Sequence, residues 1–133
     1  MTLVDRDALD RAGEALGRDL PHGSVVWLTG PLGAGKTTLA RAIARGRGVS
    51  GAATSPTYAL VHHYHGERGD VYHVDCYRLS TPDAAADLDW ETLAAADLLL
   101  IEWPHRAGPW APRATCSVTL DHAGEELRQL ECA

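Results

Sequence analysis

The residues with the plainest chemical capacity lie in "LTGPLGAGKTTLA", positions 28–40. Gly30, Gly35, Lys36 and Thr37 fill every fixed position of the phosphate-loop pattern G-x-x-x-x-G-K-[ST], with Gly33 and Ala34 inside it. Glycine lets the backbone curl round phosphates and turn its N–H groups inward. Lys36 then reaches the β- and γ-phosphates, the Thr37 hydroxyl suits Mg²⁺, and Thr38 is placed to bond a phosphate oxygen. A loop of this kind holds a nucleotide but hydrolyses nothing alone, because the metal also needs a carboxylate from a neighbouring strand end. Two acids qualify: Glu102, which closes "LLLI", and Asp75, which follows "VYHV". Both are expected at the sheet edge where α/β proteins bind ligands. Ser55, Pro56 and Thr57, in "TSPT" before a strand, are placed for a nucleotide-sensing loop, although on chemistry alone they are little more than a turn.

The elements that must position these residues follow from pattern. Residues 5–20 read as an amphipathic helix with Leu9, Ala12, Leu16 and Leu20 on one stripe. "SVVWLT" before the loop and "DLLLIEW", which carries Glu102 and Trp103, read as buried strands. "KTTLARAIARG" reads as a helix with Leu39, Ala42 and Ile43 inward and Arg41 and Arg45 outward. "YALVHHYHG" and "GDVYHVDCYRL" are β-prone runs joined by turn chemistry, which suggests a hairpin. "STPDAAADLDW" is expected to open a helix from a Ser80 or Thr81 cap. "PHRAGPWAPRA" reads as loop, "CSVTLD" as a strand, and "EELRQLECA" is ambiguous between strand and short helix. Strands alternating with helices imply an α/β fold: one P-loop NTPase-like domain over residues 1–133, its central sheet mostly parallel and flanked by helices.

Composition narrows the function. The net charge of −6 argues against strong unaided binding to nucleic acid. Cys76, Cys116 and Cys132 form neither a disulfide framework nor a C-x-x-C zinc pattern, so reduced thiols in a cytoplasmic protein are expected. The N-terminal run is acidic, unlike a signal peptide, and no stretch approaches a membrane span. Alternation places His63 and His65 on one side of a strand and His62 on the other, and nothing in the sequence makes them converge as metal ligands. Cys76 is expected to face the core opposite Asp75. The chain has no N-K-x-D string for guanine. The only room for a kinase lid, residues 81–97, has no Arg or Lys. A small-molecule kinase and a non-hydrolysing nucleotide sensor remain the alternatives to a partner-coupled ATPase.

"GPLGAGKTTLARAIARGRGV", "TSPTYALVHHYHG", "VYHVDCYRL" and "LLLIEWPHRAG", in this order, closely resemble the TsaE (YjeE) family of bacterial tRNA threonylcarbamoyladenosine biosynthesis. The resemblance runs from about residue 25 to 106. It implies an ATPase that uses ATP and Mg²⁺, associates with TsaB and TsaD, and meets tRNA through that complex, resetting the complex between turnovers. It implies phosphate and Mg²⁺ roles for Lys36, Thr37 and Thr38, a metal-associated role for Glu102, and an activity-linked role for Asp75. Ser55 to Thr57 match a switch-like loop, and Trp103 matches a tryptophan near the nucleotide. Arg78 is a candidate cation in cis, or only a salt-bridge partner. Pro31 and Cys76 depart from the common pattern, and no residue beyond Arg106 is carried across.

Overall fold

The two continuous apolar runs become neighbours at the centre of a seven-stranded sheet. In the computed structural model, which describes residues 2–50, 61–77, 79, 81–122 and 128–132, these are β2 (Ser24–Thr29) and β5 (Leu98–Glu102). The other strands are β1 (Thr2–Val4), β3 (Val61–Gly66), β4 (Gly69–Asp75), β6 (Cys116–His122) and β7 (Arg128–Cys132), in the order β1-β7-β6-β2-β5-β4-β3. β6, β2, β5 and β4 are mutually parallel, and β3, β7 and β1 add antiparallel edges. Leu98 to Ile101 are at most 1% exposed. Full burial of an aliphatic side chain contributes about 1.5–3 kcal/mol, so β5 is anchored on both faces. No helix among the described residues is long and apolar enough to cross a membrane.

One sheet face carries helices α1 (Arg6–Asp19) and α2 (Lys36–Gly46) over Val26, Leu28, Leu98, Leu100 and Val118. The other carries a 3₁₀ helix at Pro82–Asp87, the short helix α3 (Trp90–Ala94) and a second 3₁₀ segment at Pro104–Trp110, over Val25, Val74, Leu99 and Ile101. Cys76 is fully buried in this second layer, and burial pushes its thiol up to about 12, so it packs as an inert apolar group.

Several expectations change. The helix expected from "STPDAAADLDW" is broken. Pro82–Asp87 is 3₁₀, Leu88 is extended, and Asp89 starts α3 by accepting a hydrogen bond from the Thr92 N–H at 3.2 Å. The aspartate side chain competes for the backbone and restarts the helix one turn later. The segment after Glu102 is not all loop, since 3₁₀ turns run to Trp110 with a non-helical Gly108 inside. The ambiguous C-terminal run is strand β7, paired to β6 and β1. Strand β1, too short for periodicity to register, was not expected.

In α1 the buried stripe is Leu9, Gly13 and Gly17, while Ala12 and Leu16 lie at the margin. The glycines let α1 and α2 touch almost backbone to backbone. A Cβ on Gly17 would lie 2.1 Å from the Ile43 carbonyl oxygen. Backbone cannot yield as a flexible side chain does. Gly17→Ala is therefore expected to destabilise the fold by about 1–3 kcal/mol, read as a lower denaturant midpoint at unchanged slope. A midpoint within error of the parent would show that the helices separate freely.

Candidate nucleotide-binding site

The phosphate loop leaves the carboxyl end of β2 and enters α2 at Lys36. Gly30 has φ of 140° and passes so close to β6 that a Cβ would lie 2.0 Å from the Leu120 carbonyl oxygen. Gly35, with φ of 103°, stands at the α2 N-cap, and no side chain caps the first turn. The exposed N–H groups and positive end of α2 thus face the loop, as an anion site requires.

The acids arrive from β5, beside β2, and from β4, on the far side of β5. Glu102 ends β5 and Asp75 ends β4, and the two are register partners. Strand alternation turns both toward the α2 face, away from Cys76. The Thr37 hydroxyl donates to the Glu102 carboxylate, with Oε1 at 3.1 Å and Oε2 at 3.0 Å. From β4, His73 Nε2 lies 2.5 Å from Glu102 Oε2. Burial alone would raise the Glu102 carboxyl, but the His73 hydrogen bond and charge, the Thr37 hydroxyl and Lys36 outweigh it and hold it below its ordinary value. An ionised carboxylate only accepts, so His73 carries its proton on Nε2.

Lys36 is 4% exposed and donates to the Gly30 and Pro31 carbonyl oxygens at 2.6 and 2.8 Å. Its Nζ lies 4.4 Å from the centroid of the Trp103 ring. Burial lowers the Lys36 ammonium below its usual range, and Glu102 and Asp75 oppose that shift. Trp103 is the one non-glycine residue with positive φ among the described residues, at φ 56° and ψ 50°. Such a conformation costs about 1–3 kcal/mol, and here it turns the chain at Glu102 so that the indole covers Lys36.

Gly33, Gly35, Lys36, Thr37, Thr38, Asp75, Glu102 and Trp103 all line one cleft, together with Leu32 and Tyr77. Gly30 and Ala34 support the loop from behind, Ala34 being fully buried against the core. Ser55, Pro56, Thr57 and Arg78 lie outside the described residues. The hydroxyl of Thr37 and the carboxylate of Glu102 form an all-oxygen donor pair that already meets, which fits the preference of Mg²⁺ for hard oxygen ligands.

A sequence model of the family described as "Threonylcarbamoyl adenosine biosynthesis protein TsaE" matches residues 3–130. The chain belongs to the TsaE family. It is 37% identical over 136 aligned positions to the tRNA threonylcarbamoyladenosine biosynthesis protein TsaE of Treponema pallidum, covering all of both chains. To the protein of that name from a Nostoc species it is 35% identical, covering 97% of this chain and 82% of the relative. The crystal structure of YdiB from Bacillus subtilis superposes with a TM-score of 0.75 at 25% identity, over 96% of this chain and 78% of the other. The TsaE family is one of tRNA threonylcarbamoyladenosine biosynthesis, and both the family and the α/β architecture agree with the reading of the sequence.

Two residues at this TsaE cleft were not singled out by residue type. His73, inside "VYHV", is 4% exposed and bonded to Glu102. Its place two residues before Asp75, on the same strand face, was the available signal. Arg106 stacks its guanidinium 4.9 Å from the Tyr77 ring and 5.3 Å from the Trp103 ring, and it donates to the Tyr77 carbonyl oxygen at 2.9 Å. It brings a cation to the aromatic rim of the cleft, and only the tertiary fold reveals this.

Proposed function

We propose that the chain is a Mg²⁺-dependent ATPase that binds ATP at the loop and couples its hydrolysis to turnover of a TsaB–TsaD complex acting on tRNA. The observation that carries this reading is the Thr37–Glu102 contact directly beside the uncapped start of α2. A bound Mg²⁺ would supply charge neutralisation on the β- and γ-phosphate oxygens. Thr37 and Glu102 would hold it, directly or through water. Lys36 exchanges the Gly30 and Pro31 carbonyls for phosphate oxygens and stays charged between Asp75, Glu102 and the Trp103 face. Asp75 lines the same cleft and its carboxylate already accepts the Tyr77 N–H at 3.0 Å, which fixes it to orient an attacking water. His73 keeps the Glu102 carboxylate ionised and aimed.

The kinase alternative has little support, since residues 81–97 form short helical turns on the far sheet face and carry no basic side chain. Phosphate release is expected to be slow for the chain alone and to rise on adding matched TsaB, TsaD and tRNA. Turnover indifferent to those proteins would end the coupled-ATPase reading.

His73 is a positioning residue in this scheme. His73→Ala is expected to raise the Mg²⁺ needed for half-maximal turnover about tenfold while leaving ATP affinity in place. His73→Gln, whose amide can still donate, restores part of it. An unmoved Mg²⁺ requirement would reduce His73 to a packing role.

A further inference from the structure

The hairpin histidines do converge, contrary to the expectation from sequence. β3 and β4 pair in register with His65 opposite Asp70 and His63 opposite Tyr72. His63 and His65, two apart, share one face of β3, and the register brings Asp70 beneath both. His63 Nε2 lies 2.9 Å from Asp70 Oδ1, and His65 Nδ1 lies 3.5 Å from the same oxygen. One ligand atom from each of the three residues falls within 4.8 Å of the others.

We infer that His63, His65 and Asp70 form a binding site for a divalent transition-metal ion of the zinc, cobalt, nickel and copper group. Ligands about 2.0–2.1 Å from a tetrahedral zinc sit about 3.3 Å apart, and the measured separations bracket that distance. Two imidazoles with a carboxylate select this group over Mg²⁺ and Ca²⁺, which want oxygen alone. The His63 ring is held by stacking on Tyr72, 4.4 Å between centroids and 18° between planes. Both strands are regular and joined by a two-residue turn at Glu67 and Arg68, so the site is built on rigid elements. Side-chain exposures of 27% for His63, 68% for His65 and 51% for Asp70 leave the fourth coordination position open to water.

The site is independent of the nucleotide cleft. His62, on the opposite face of β3, is the hairpin histidine whose ring approaches His73, at 5.7 Å. The inference therefore stands whether or not the chain hydrolyses ATP.

The test is titration of the tag-free full-length chain with Co²⁺ in excess Mg²⁺, followed by the visible d–d absorption, with Zn²⁺ as competitor. Saturable absorption displaced by Zn²⁺ is expected. His65→Ala and Asp70→Ala are each expected to weaken it about tenfold or more, and Glu102→Ala to leave it in place. His65 and Asp70 are exposed, so both variants should keep the parent circular dichroism. No saturable absorption, absorption unaffected by His65→Ala and Asp70→Ala, or absorption lost with Glu102→Ala would each overturn the site.

Discussion

Glu102→Ala is expected to lower phosphate release from ATP about a hundredfold while nucleotide binding remains measurable. The reason is where the carboxylate sits. It contacts the Thr37 hydroxyl through both oxygens, it is 3% exposed, and His73 holds it ionised. In the proposed reading, alanine would remove the strand's contribution to the metal and leave untouched the loop and α2 N-terminus, whose backbone N–H groups would hold the phosphates. Glu102→Gln should lose nearly as much, because the amide fills the space and keeps a bond to Thr37 but carries no charge for the cation. The measurement is single-turnover phosphate release beside equilibrium binding of a fluorescent ATP analogue. Turnover equal to the parent would remove Glu102 from the site.

A larger effect on stability is expected at Arg47, which the sequence reading passed over. Its side chain and that of Asp97 are both 0% exposed. The guanidinium donates to Asp97 Oδ2 at 2.7 Å and Oδ1 at 2.9 Å, and to the carbonyl oxygens of Gly17, Leu20 and Pro21. One side chain thereby joins the ends of α1 and α2 to the start of β5. Asp97→Ala leaves a buried guanidinium without its counter-charge and should cost about 3–5 kcal/mol, or about 10 °C or more in Tm. Replacing both partners with apolar residues, as in Arg47→Met with Asp97→Leu, should recover much of that loss. A fall in Tm of only a degree or two for Asp97→Ala would mean that the pair contributes little.

The same pair sets an acid limb. The Arg47 hydrogen bond, with help from His22 and against the cost of burial, holds the Asp97 carboxyl below its ordinary value of 3.8. The ionised form is thus the one the fold favours. Its stabilisation is complete above that ordinary value and is lost as pH falls through the lower folded value. Asp97→Asn should lack this component of acid unfolding.

Residue type and spacing were enough to place the glycine loop, because the pattern stands between an apolar run and a helical one, and the structure has β2 and α2 there. Glu102 and Asp75 were legible as well, since an acid that closes a strand parallel to the loop strand lies at the same sheet edge as the loop, whether that strand is next to it, as β5 is, or one further out, as β4 is. The buried strands were legible because β5 is apolar at every position but the last. Gly13 and Gly17 were not, as a glycine contributes nothing to hydrophobic periodicity while permitting a close helix contact. Asp89 looked like one more acid in an acidic stretch, and its role as a cap depends on a backbone that breaks at Leu88.

By itself the sequence determined the α/β class, the loop, its two acids and, through its motifs, the family. Each is a local pattern or a strand end, and local patterns survive without coordinates. Only the tertiary structure decided which side chains meet. It put His73 rather than another histidine on Glu102, aimed Trp103 at Lys36, buried Arg47 against Asp97, and closed His63 and His65 on Asp70. These pairings depend on strand register and on helices crossing far apart in the chain. A shift of one residue in register would turn each strand side chain to the opposite face.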